Sequence, residues 1–415
     1  MHVLLTIPDW DLIGGTERYA FSVARGLVER GHAVSVLCAR AAGPADPAAR
    51  VEGVRVHVDP RVEASALTAD ARRGLTRAVR ELAPDVVFAQ TLRGTDVLHA
   101  LADAAPFARY VHDHTLFCPG LNKYRADGEL CTAKYGLECI KRYLGPSACV
   151  CFNKGSHPRF SDALKSVWRR RADIGAHRRA ARLFTNSDYM RDELVRAGID
   201  GERVRRVWPF TLSATSAQPA EALSGATRAF VEASSAPLIV TPARLTLPDK
   251  GIDYLITALS KLARPWRAVI AGQGPAEAWL REKARAECGE RVHFSGWIAQ
   301  GGIETLYERA AVVVVPSVWN EPFGLVGVEA MAHGRAVVAF RVGGIPEWLD
   351  DGVTGFLAPR RDADALAAHV DRLLGDPALA ARLGANGRER ARALFAPAQH
   401  LASLERELEA ARASS

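Results

Sequence analysis

The sequence predicts an α/β protein built from two doubly wound domains, each a parallel sheet with helices on both faces. Two observations carry this prediction. Short apolar strands alternate with amphipathic segments in both halves of the chain, and 415 residues are too many for one hydrophobic core. The predicted strands of the first half are 2–7, 34–38, 54–58, 86–90, 107–111 and 183–186, and those of the second half are 238–240, 268–271, 292–294, 312–315 and 336–340.

The domain boundaries follow from composition. We expect a first domain at 1–210, with a Cys-rich insertion at about 115–160, and a second domain at 237–395. The stretch between them is rich in Ala, Ser and Thr and lacks a strand pattern, so we interpret it as the linker. The last segment, 396–415, has Leu401, Leu404 and Leu408 at helical spacing. It is expected to form a helix that packs back on the first domain.

Composition favours an ordinary globular protein. Hydrophobic residues make up 48% and charged residues 24% of the chain. No apolar run is long enough to span a membrane, and the N-terminus lacks the pattern of a signal peptide, so we expect a cytoplasmic location.

The net charge of +7 is unevenly placed. The stretch 165–182 holds seven Lys or Arg residues and one acidic residue, Asp173. It is interpreted either as a solvated basic helix or as an acceptor-side patch that attracts an anionic lipid surface or a phosphorylated acceptor. No recognised motif or aromatic platform accompanies it, so nucleic acid is not an expected partner.

The segment 320–329 is the most informative part of the sequence. A buried strand at 311–315 leads into a loop marked by Pro322 and Gly324, and the residues that follow read as a helix that ends before Gly334. The backbone amides of Phe323, Gly324 and Leu325 are then donors at a helix N-terminus. Together with the carboxylates of Glu321 and Glu329 they suit a ligand with hydroxyl and phosphate groups, such as a nucleotide sugar.

Further candidates follow the other strands of the second domain. The segment 238–244 reads as a strand with Arg244 at its carboxyl end, and Lys250 opens the next helix. Ligands of doubly wound sheets bind beyond the carboxyl ends of the strands, so both cations are placed to bind a diphosphate. Gly272, in a Gly-x-Gly after the next strand, permits close backbone approach. Ile298 follows the strand after that.

The run 320–357 includes Val342-Gly343-Gly344 and Asp351-Gly352. It resembles the retaining glycosyltransferases of family 4, which have the GT-B fold. The resemblance is dense over 238–360 and looser through 1–210. It implies two Rossmann-like domains that face each other across a cleft, and transfer of a hexosyl group from a UDP- or GDP-sugar with anomeric retention. It implies a front-face route, in which the leaving phosphate takes the acceptor proton, and no essential divalent ion.

The same resemblance assigns roles to residues of the second domain. Arg244 and Lys250 would hold the diphosphate, and Glu329 would hold the nucleotide ribose. Glu321 would lie near the hydroxyls of the donor sugar. Ile298 lies where similar enzymes read the base, largely through backbone groups, so the nucleotide cannot be chosen from sequence.

The first domain contributes two candidates. Gly14 and Gly15 stand at a helix start and provide bare amides for a phosphate or for the acceptor. The family resemblance places a cleft histidine after the strand at 107–111. His112 is the match, with His114 as the alternative.

A cluster of cysteines departs from the minimal family pattern. Five of the seven cysteines lie between 118 and 151. Clustered thiols in a reducing compartment favour a metal site over disulfides, and a structural zinc or iron–sulfur centre is one interpretation. Free thiols and a redox pair are the others. The predicted ligands are Cys118, Cys131, Cys139 and Cys151, with Cys149 as the alternative to Cys151 and His157 as a substitute ligand.

Two other functions remain open at this stage. A GT-B phosphorylase or epimerase would use the same cleft with phosphate or water as second substrate. A non-catalytic nucleotide-sugar-binding protein is the other alternative, although the set of Glu321, Glu329, Arg244 and Lys250 argues against it. The sequence leaves the acceptor open among glycans, lipids and small molecules.

Overall fold

The computed structural model describes residues 1–11, 15–41, 51–92, 94–119, 122–125, 128–133, 135–144, 160–211 and 223–414. The chain divides into two compact units. Unit 1 comprises Met1–Trp208 and Ala398–Ser415, and unit 2 comprises Pro209–Pro397. The chain therefore leaves the first unit once and returns to it at the end.

Unit 1 contains a seven-stranded sheet of order β3-β2-β1-β4-β5-β6-β7, in which every pairing is parallel. Its strands are β1 His2–Trp10, β2 Ala33–Ala41, β3 Val54–Val58, β4 Val86–Ala89, β5 Phe107–Val111, β6 Arg182–Thr185 and β7 Val204–Arg206. Its helices are α1 Gly15–Glu29, α2 Ala69–Glu81, α3 Thr95–Ala104, α4 Leu137–Leu144, α5 Phe160–His177 and α6 Asp188–Arg196.

Unit 2 contains a six-stranded parallel sheet of order β10-β9-β8-β11-β12-β13. Its strands are β8 Leu238–Pro242, β9 Arg267–Ala271, β10 Val292–Gly296, β11 Val312–Val315, β12 Ala336–Phe340 and β13 Gly355–Ala358. Its helices are α7 Gly225–Glu232, α8 Ile252–Ser260, α9 Glu277–Cys288, α10 Gln300–Arg309, α11 Leu325–Ala332, α12 Ile345–Trp348, α13 Ala363–Gly375 and α14 Pro377–Leu394.

The strands of both sheets are apolar because helices cover both faces. All four valines of β11 and all five residues of β12 are buried. The predicted fold class, two doubly wound α/β domains, is confirmed. Two strands escaped prediction, β7 and β13. Both are short edge strands, and β7 carries two arginines in three residues.

The last helix, α15 Pro397–Ala413, extends from Pro397 into unit 1. Leu404 and Leu408 are fully buried, and Glu405 accepts hydrogen bonds from Arg30 and, at 2.7 Å, from His32. A Cβ at Gly26 would lie 2.3 Å from a methyl of Leu401, so the Leu401 side chain packs directly against the backbone of α1 at this glycine. Apolar packing and these polar contacts together anchor the terminus on unit 1.

The structure corrects the predicted linker. The stretch between the sheets contains α7, whose Thr227 is buried and hydrogen-bonds His293 of β10 at 3.0 Å. The Ala, Ser and Thr content that suggested a linker is compatible with a short helix on the sheet of unit 2. The rest of the stretch, 212–222, lies outside the described residues.

Candidate functional site

The carboxyl end of the sheet in unit 2 brings the predicted polar residues together. From β8 the chain proceeds to β9 and β10 on one side and places β11 on the other. The strand order therefore reverses between β8 and β11. Such reversals open a crevice at the carboxyl edge, where doubly wound sheets bind ligands. Arg244 and Lys250 follow β8, and Glu321 follows β11, so the three residues flank this point.

Glu321 is the centre of a hydrogen-bond cluster. Its Oε2 accepts from Lys250 Nζ at 2.7 Å, Trp319 Nε1 at 2.8 Å and Ser317 Oγ at 2.9 Å. Burial by itself would raise the pKa of Glu321, but the charge of Lys250 and the three donors lower it below its ordinary value. The carboxylate is therefore ionised at neutral pH. All three contacts involve Oε2, so Oε1 is the atom through which Glu321 can accept from a ligand.

Backbone geometry fixes the loop that carries Glu321. Its carbonyl accepts from the amide of Gly344 at 2.9 Å. Gly343 has a φ of +50°, and a Cβ there would lie 2.1 Å from the Glu321 carbonyl oxygen. Only glycine fits this close approach. The Gly-Gly pair noted in the sequence thus supports the Glu321 loop.

Arg244 is exposed, and among the described residues its side chain has no ion-pair partner. Its loop packs against the loop after β9. A Cβ on Gly272 would lie 1.9 Å from the Ala243 carbonyl oxygen, and the Leu245 amide donates to the Gln273 carbonyl at 3.1 Å. The predicted close approach at Gly272 is therefore to the neighbouring backbone, which positions Arg244. Contact of Gly272 with a ligand stays a prediction.

Helix α11 places the second carboxylate. The helix begins after Gly324, whose φ is +93°, and its N-terminus has no side-chain cap. The first amides, of Leu325 and Val326, are therefore oriented outward as donors. Phe323 is buried, and its carbonyl accepts from Trp348 Nε1 at 2.6 Å.

Glu329 lies one turn into α11 and is 6% exposed. Its Oε2 accepts from Tyr307 Oη at 3.3 Å, and the same hydroxyl contacts the Val326 carbonyl at 3.1 Å. Burial and the charge of Glu329 raise the pKa of Tyr307 well above its ordinary value, so the hydroxyl keeps its one proton and shares it between these two acceptors. Tyr307 therefore orients Glu329. Ile298 is half-buried just after β10, at the same carboxyl edge of the sheet.

In unit 1 the structure places His112 directly after β5, at the carboxyl edge of that sheet. Its Nε2 lies 2.8 Å from Gln90 Oε1, and its ring stacks on Tyr110 at a centroid distance of 4.6 Å. Burial lowers the pKa of His112 to about 4. The imidazole is therefore neutral at pH 7. Nε2 carries the proton that it donates to Gln90, so Nδ1 is the ring nitrogen that can accept a hydrogen bond.

The remaining candidates of unit 1 are Gly14, Gly15 and His114, and the structure describes two of them. Gly15 begins α1, whereas Gly14 lies outside the described residues. His114, the alternative to His112, is fully buried, and its Nε2 lies 2.9 Å from Tyr189 Oη. Because His114 is enclosed, His112 is the better candidate for ligand contact.

The described residues give no support to the predicted metal site. No group of three His, Cys, Asp or Glu side chains in the described ranges is arranged to hold a metal ion. Cys118, Cys131 and Cys139 line one small cavity, with Cys118 and Cys131 buried. Cys149, Cys151 and His157 lie outside the described residues. The metal centre therefore stays a prediction.

Four supporting residues were missed by sequence reasoning: Ser317, Trp319, Tyr307 and Gln90. Ser317 and Trp319 lie within four residues of Glu321, so their place in the loop was a usable signal. Tyr307 lies in α10 and Gln90 follows β4, so nothing in the sequence near Glu329 or His112 indicated their contacts. The structure also brings His400 of α15 beside Tyr19, with Tyr19 Oη at 3.0 Å from His400 Nε2.

Comparison with known proteins matches each unit to a glycosyltransferase family. Residues 13–210 match the family described as Glycosyltransferase Family 4, and residues 236–376 match Glycosyl transferases group 1. Together the two matches cover most of the chain. No helix in the described ranges is both long and apolar enough to cross a lipid bilayer.

Similar curated proteins match over part of their length. The α-D-kanosaminyltransferase of Streptomyces kanamyceticus is 30% identical over 250 residues, covering 59% of this chain and 62% of that protein. The D-inositol 3-phosphate glycosyltransferase of Streptomyces bingchenggensis is 34% identical over 219 residues, covering 49% and 48%. The chain thus spans less than two thirds of the length of these curated relatives.

Solved structures match over the whole chain. HepE of Anabaena, in complex with UDP and glucose, has a TM-score of 0.69 at 20% identity and covers 99% of both chains. The sucrose-phosphate synthase of Thermosynechococcus elongatus has a TM-score of 0.68 at 21% identity, with full coverage of both. At these identities the likeness shows the fold. That fold is the GT-B fold. The two family matches show that the chain belongs to the group 1 glycosyl transferases of family 4.

Proposed function

We propose that this protein is a retaining glycosyltransferase that moves a hexosyl group from a nucleoside diphosphate sugar to an acceptor. The observation that carries the proposal is the Lys250–Glu321 pair at the strand-order reversal of unit 2, with the exposed Arg244 at the end of β8. Two cations beside an ionised carboxylate suit a ligand with a diphosphate at one end and a sugar at the other.

The donor is bound by charge and by oriented amides. Arg244 and Lys250 bind the diphosphate, and the amides of Leu325 and Val326 donate to its oxygens at the start of α11. Oε1 of Glu321 accepts from a sugar hydroxyl, while Oε2 stays with Lys250. Glu329, held by Tyr307, accepts from the ribose hydroxyls. UDP is the first nucleotide to test, because the HepE structure contains it.

In the transfer step, the bond between the anomeric carbon and the diphosphate oxygen breaks, and negative charge develops on the leaving phosphate. Arg244 and Lys250 stabilise that charge. The leaving phosphate takes the acceptor proton as the acceptor oxygen bonds to the same face of the sugar, so the anomeric configuration is retained. His112 contacts the reacting sugar as a neutral hydrogen-bonding group. No step requires a metal ion.

The test is an activity screen of the purified full chain with UDP-, GDP- and ADP-sugars. Release of the nucleoside diphosphate is measured with no acceptor, with inorganic phosphate, and with panels of glycans, lipids and small hydroxylated molecules. We expect release that depends on an organic acceptor, and NMR of the product should show retained anomeric configuration. Product formed without an acceptor or with phosphate would instead support an epimerase or phosphorylase. Nucleotide binding with no turnover on any panel would favour a non-catalytic binding protein.

A further inference from the structure

A buried arginine in unit 1 makes no hydrogen bond to an acidic side chain among the described residues. Arg109 lies in the middle of β5 and is 7% exposed. Its Nη1 donates to His177 Nε2 at 2.6 Å, and its Nη2 donates to the Leu92 carbonyl at 2.9 Å. Both partners are neutral groups, and Nε has no partner among the described residues. A buried cation satisfied only by neutral acceptors is costly.

His177 is a neutral partner and does not balance the positive charge of Arg109. Its Nδ1 lies 2.5 Å from the Asp173 carbonyl oxygen, so Nδ1 carries the proton and Nε2 accepts from Arg109. Burial and the charge of Arg109 hold the pKa of His177 well below its ordinary value. Burial also lowers the pKa of Arg109 to about 10, which leaves the guanidinium charged at neutral pH.

Both oxygens of the nearby Asp173 carboxylate already accept hydrogen bonds from other side chains. Its Oδ2 accepts from Arg170 Nη1 at 2.9 Å, and its Oδ1 accepts from Thr95 Oγ1 at 2.6 Å. Arg170 is itself largely buried, and its Nε also has no partner in the described ranges. Asp113, whose Oδ1 accepts from Thr115, also lies close enough for its charge to act on Arg109 and Arg170. Neither carboxylate hydrogen-bonds Arg109 in the described residues.

These groups line a cavity of about 270 Å³. It lies at the carboxyl edge of the sheet, because Leu92 and Thr115 follow β4 and β5 and form part of its wall. Arg169 joins Arg109 and Arg170 in the lining. The volume corresponds to about nine water molecules. Three guanidinium groups and the carboxylates of Asp173 and nearby Asp113 leave a surplus of one positive charge.

We propose that this cavity binds a phosphate group, carried by a phosphomonoester or free in solution. A phosphate monoester has a charge of about −1.5 to −2 at pH 7 and three strong acceptor oxygens, enough to contact all three guanidinium groups, whereas a carboxylate supplies one negative charge and two oxygens. The guanidinium groups, with unpartnered N–H donors on Arg109 and Arg170, suit its several acceptor oxygens. If the ligand is a phosphomonoester, assigning it to the acceptor rests on the proposed function.

The test is a calorimetric titration of the full chain with methyl phosphate, inorganic phosphate and acetate, in the absence of any nucleotide sugar. Failure of the proposed transferase activity would leave this result unaffected. We expect saturable binding of phosphate at millimolar or lower concentration, and much weaker binding of acetate. Stronger binding of methyl phosphate than of inorganic phosphate would identify a phosphomonoester as the ligand. The reverse order would identify free phosphate.

Matched variants locate the site. Arg170→Gln removes a lining charge, and Arg169→Gln does so without altering the Asp173 contacts. Arg171→Gln removes the same charge from the next position of α5, where the exposed side chain lies outside the cavity lining. We expect the first two to weaken phosphate binding about 10- to 100-fold, and the control to change it less than about twofold.

Melting curves and UDP titrations of each variant confirm that the chain is folded. An absence of phosphate binding to the unaltered protein at about 10 mM would overturn the proposal, and would mean that the cavity holds only water around a structural arginine. Equal loss in Arg171→Gln and Arg169→Gln would also overturn it, because the effect would then reflect the overall charge of α5.

Discussion

The carboxyl edges of the two sheets share a topology and differ in charge. In unit 2 the edge holds an ionised carboxylate, Glu321, paired with Lys250. In unit 1 the corresponding edge holds His112, whose pKa is lowered to about 4, beside Tyr110 and Gln90. A doubly wound sheet therefore provides a place for ligands, and the residues after each strand decide the chemistry. Unit 2 suits an anionic donor, and the His112 region suits neutral hydrogen bonding.

Acid should affect unit 1 first, and this is the largest effect we expect. The folded pKa values of His112 and His400 are both lowered to about 4 by burial. The unfolded chain therefore takes up protons first. The stability that these residues provide is complete above about pH 6.5 and is lost as the pH falls towards 4. Each histidine contributes on the order of 3 kcal/mol.

Amide hydrogen exchange measured between pH 7.5 and 5 would report the loss of stability in each unit separately. Histidines of unit 2 also have lowered pKa values, but the shifts at His293, His333 and His369 are smaller than those at His112 and His400. We expect β4, β5 and α15 to lose protection before β8 and β11. Earlier loss in unit 2 would contradict the contrast between the two edges.

Removing the cation of unit 2 should have the next largest effect. In Lys250→Met the developing charge on the leaving phosphate loses a stabilising partner, and Glu321 keeps only its donors Ser317 and Trp319. We expect donor turnover to fall about 100- to 1000-fold. Lys261→Met is the control, because Lys261 makes an exposed pair with Asp364 and should leave the rate unchanged. Normal turnover in Lys250→Met would exclude the proposed role.

The second carboxylate should matter for nucleotide affinity. Glu329→Gln replaces a charged acceptor with a neutral amide, so hydrogen bonds from the ribose hydroxyls become weaker. We expect UDP or GDP affinity to fall about 10- to 100-fold. Glu290→Gln, at an exposed glutamate of unit 2, should leave it unchanged. Equal affinities of the two variants in calorimetry would show that Glu329 does not contact the nucleotide.

The smallest effect is expected at a supporting residue. Tyr307→Phe removes the hydroxyl that orients Glu329 from 3.3 Å, while the ring stays in the core. Because the hydroxyl shares its one proton with the Val326 carbonyl, the contact with Glu329 is weaker than a full hydrogen bond to a charged group and is worth about 1 kcal/mol. Nucleotide affinity should therefore fall about fivefold. The rate at saturating donor should stay the same. A loss as large as that of Glu329→Gln would mean that Tyr307 itself contacts the ligand.

Much of the fold and part of the site could be predicted from sequence. Strand–loop–helix order placed Glu321 and Glu329 on their elements, and the predicted end of the helix before Gly334 is confirmed, since α11 ends at Ala332 and Gly334 has a φ of +72°. A Ser at the start of a helix is a common N-cap, and Ser187 Oγ accepts from the Met190 amide at 3.1 Å at the start of α6.

What could not be predicted depends on contacts between distant segments. Tyr307 reaches Glu329 from α10, and Gln90 reaches His112 from the end of the neighbouring strand. Arg109 lies within an apolar strand, where sequence gives no sign that a cavity surrounds it. The basic stretch 165–182 was interpreted as a solvated or acceptor-side surface, but Asp173 and His177 are buried. Which residues of α5 are buried depends on the direction in which each side chain leaves the helix, and the charge composition of the stretch does not show that direction.

The most direct test of the central assignment is amide hydrogen exchange of the full chain with and without UDP and GDP. We predict that one nucleotide protects the segments 244–252 and 321–329, and that Glu329→Ala reduces this protection. Protection confined to other segments, or none with either nucleotide, would contradict the assignment of the donor site to the carboxyl edge of unit 2.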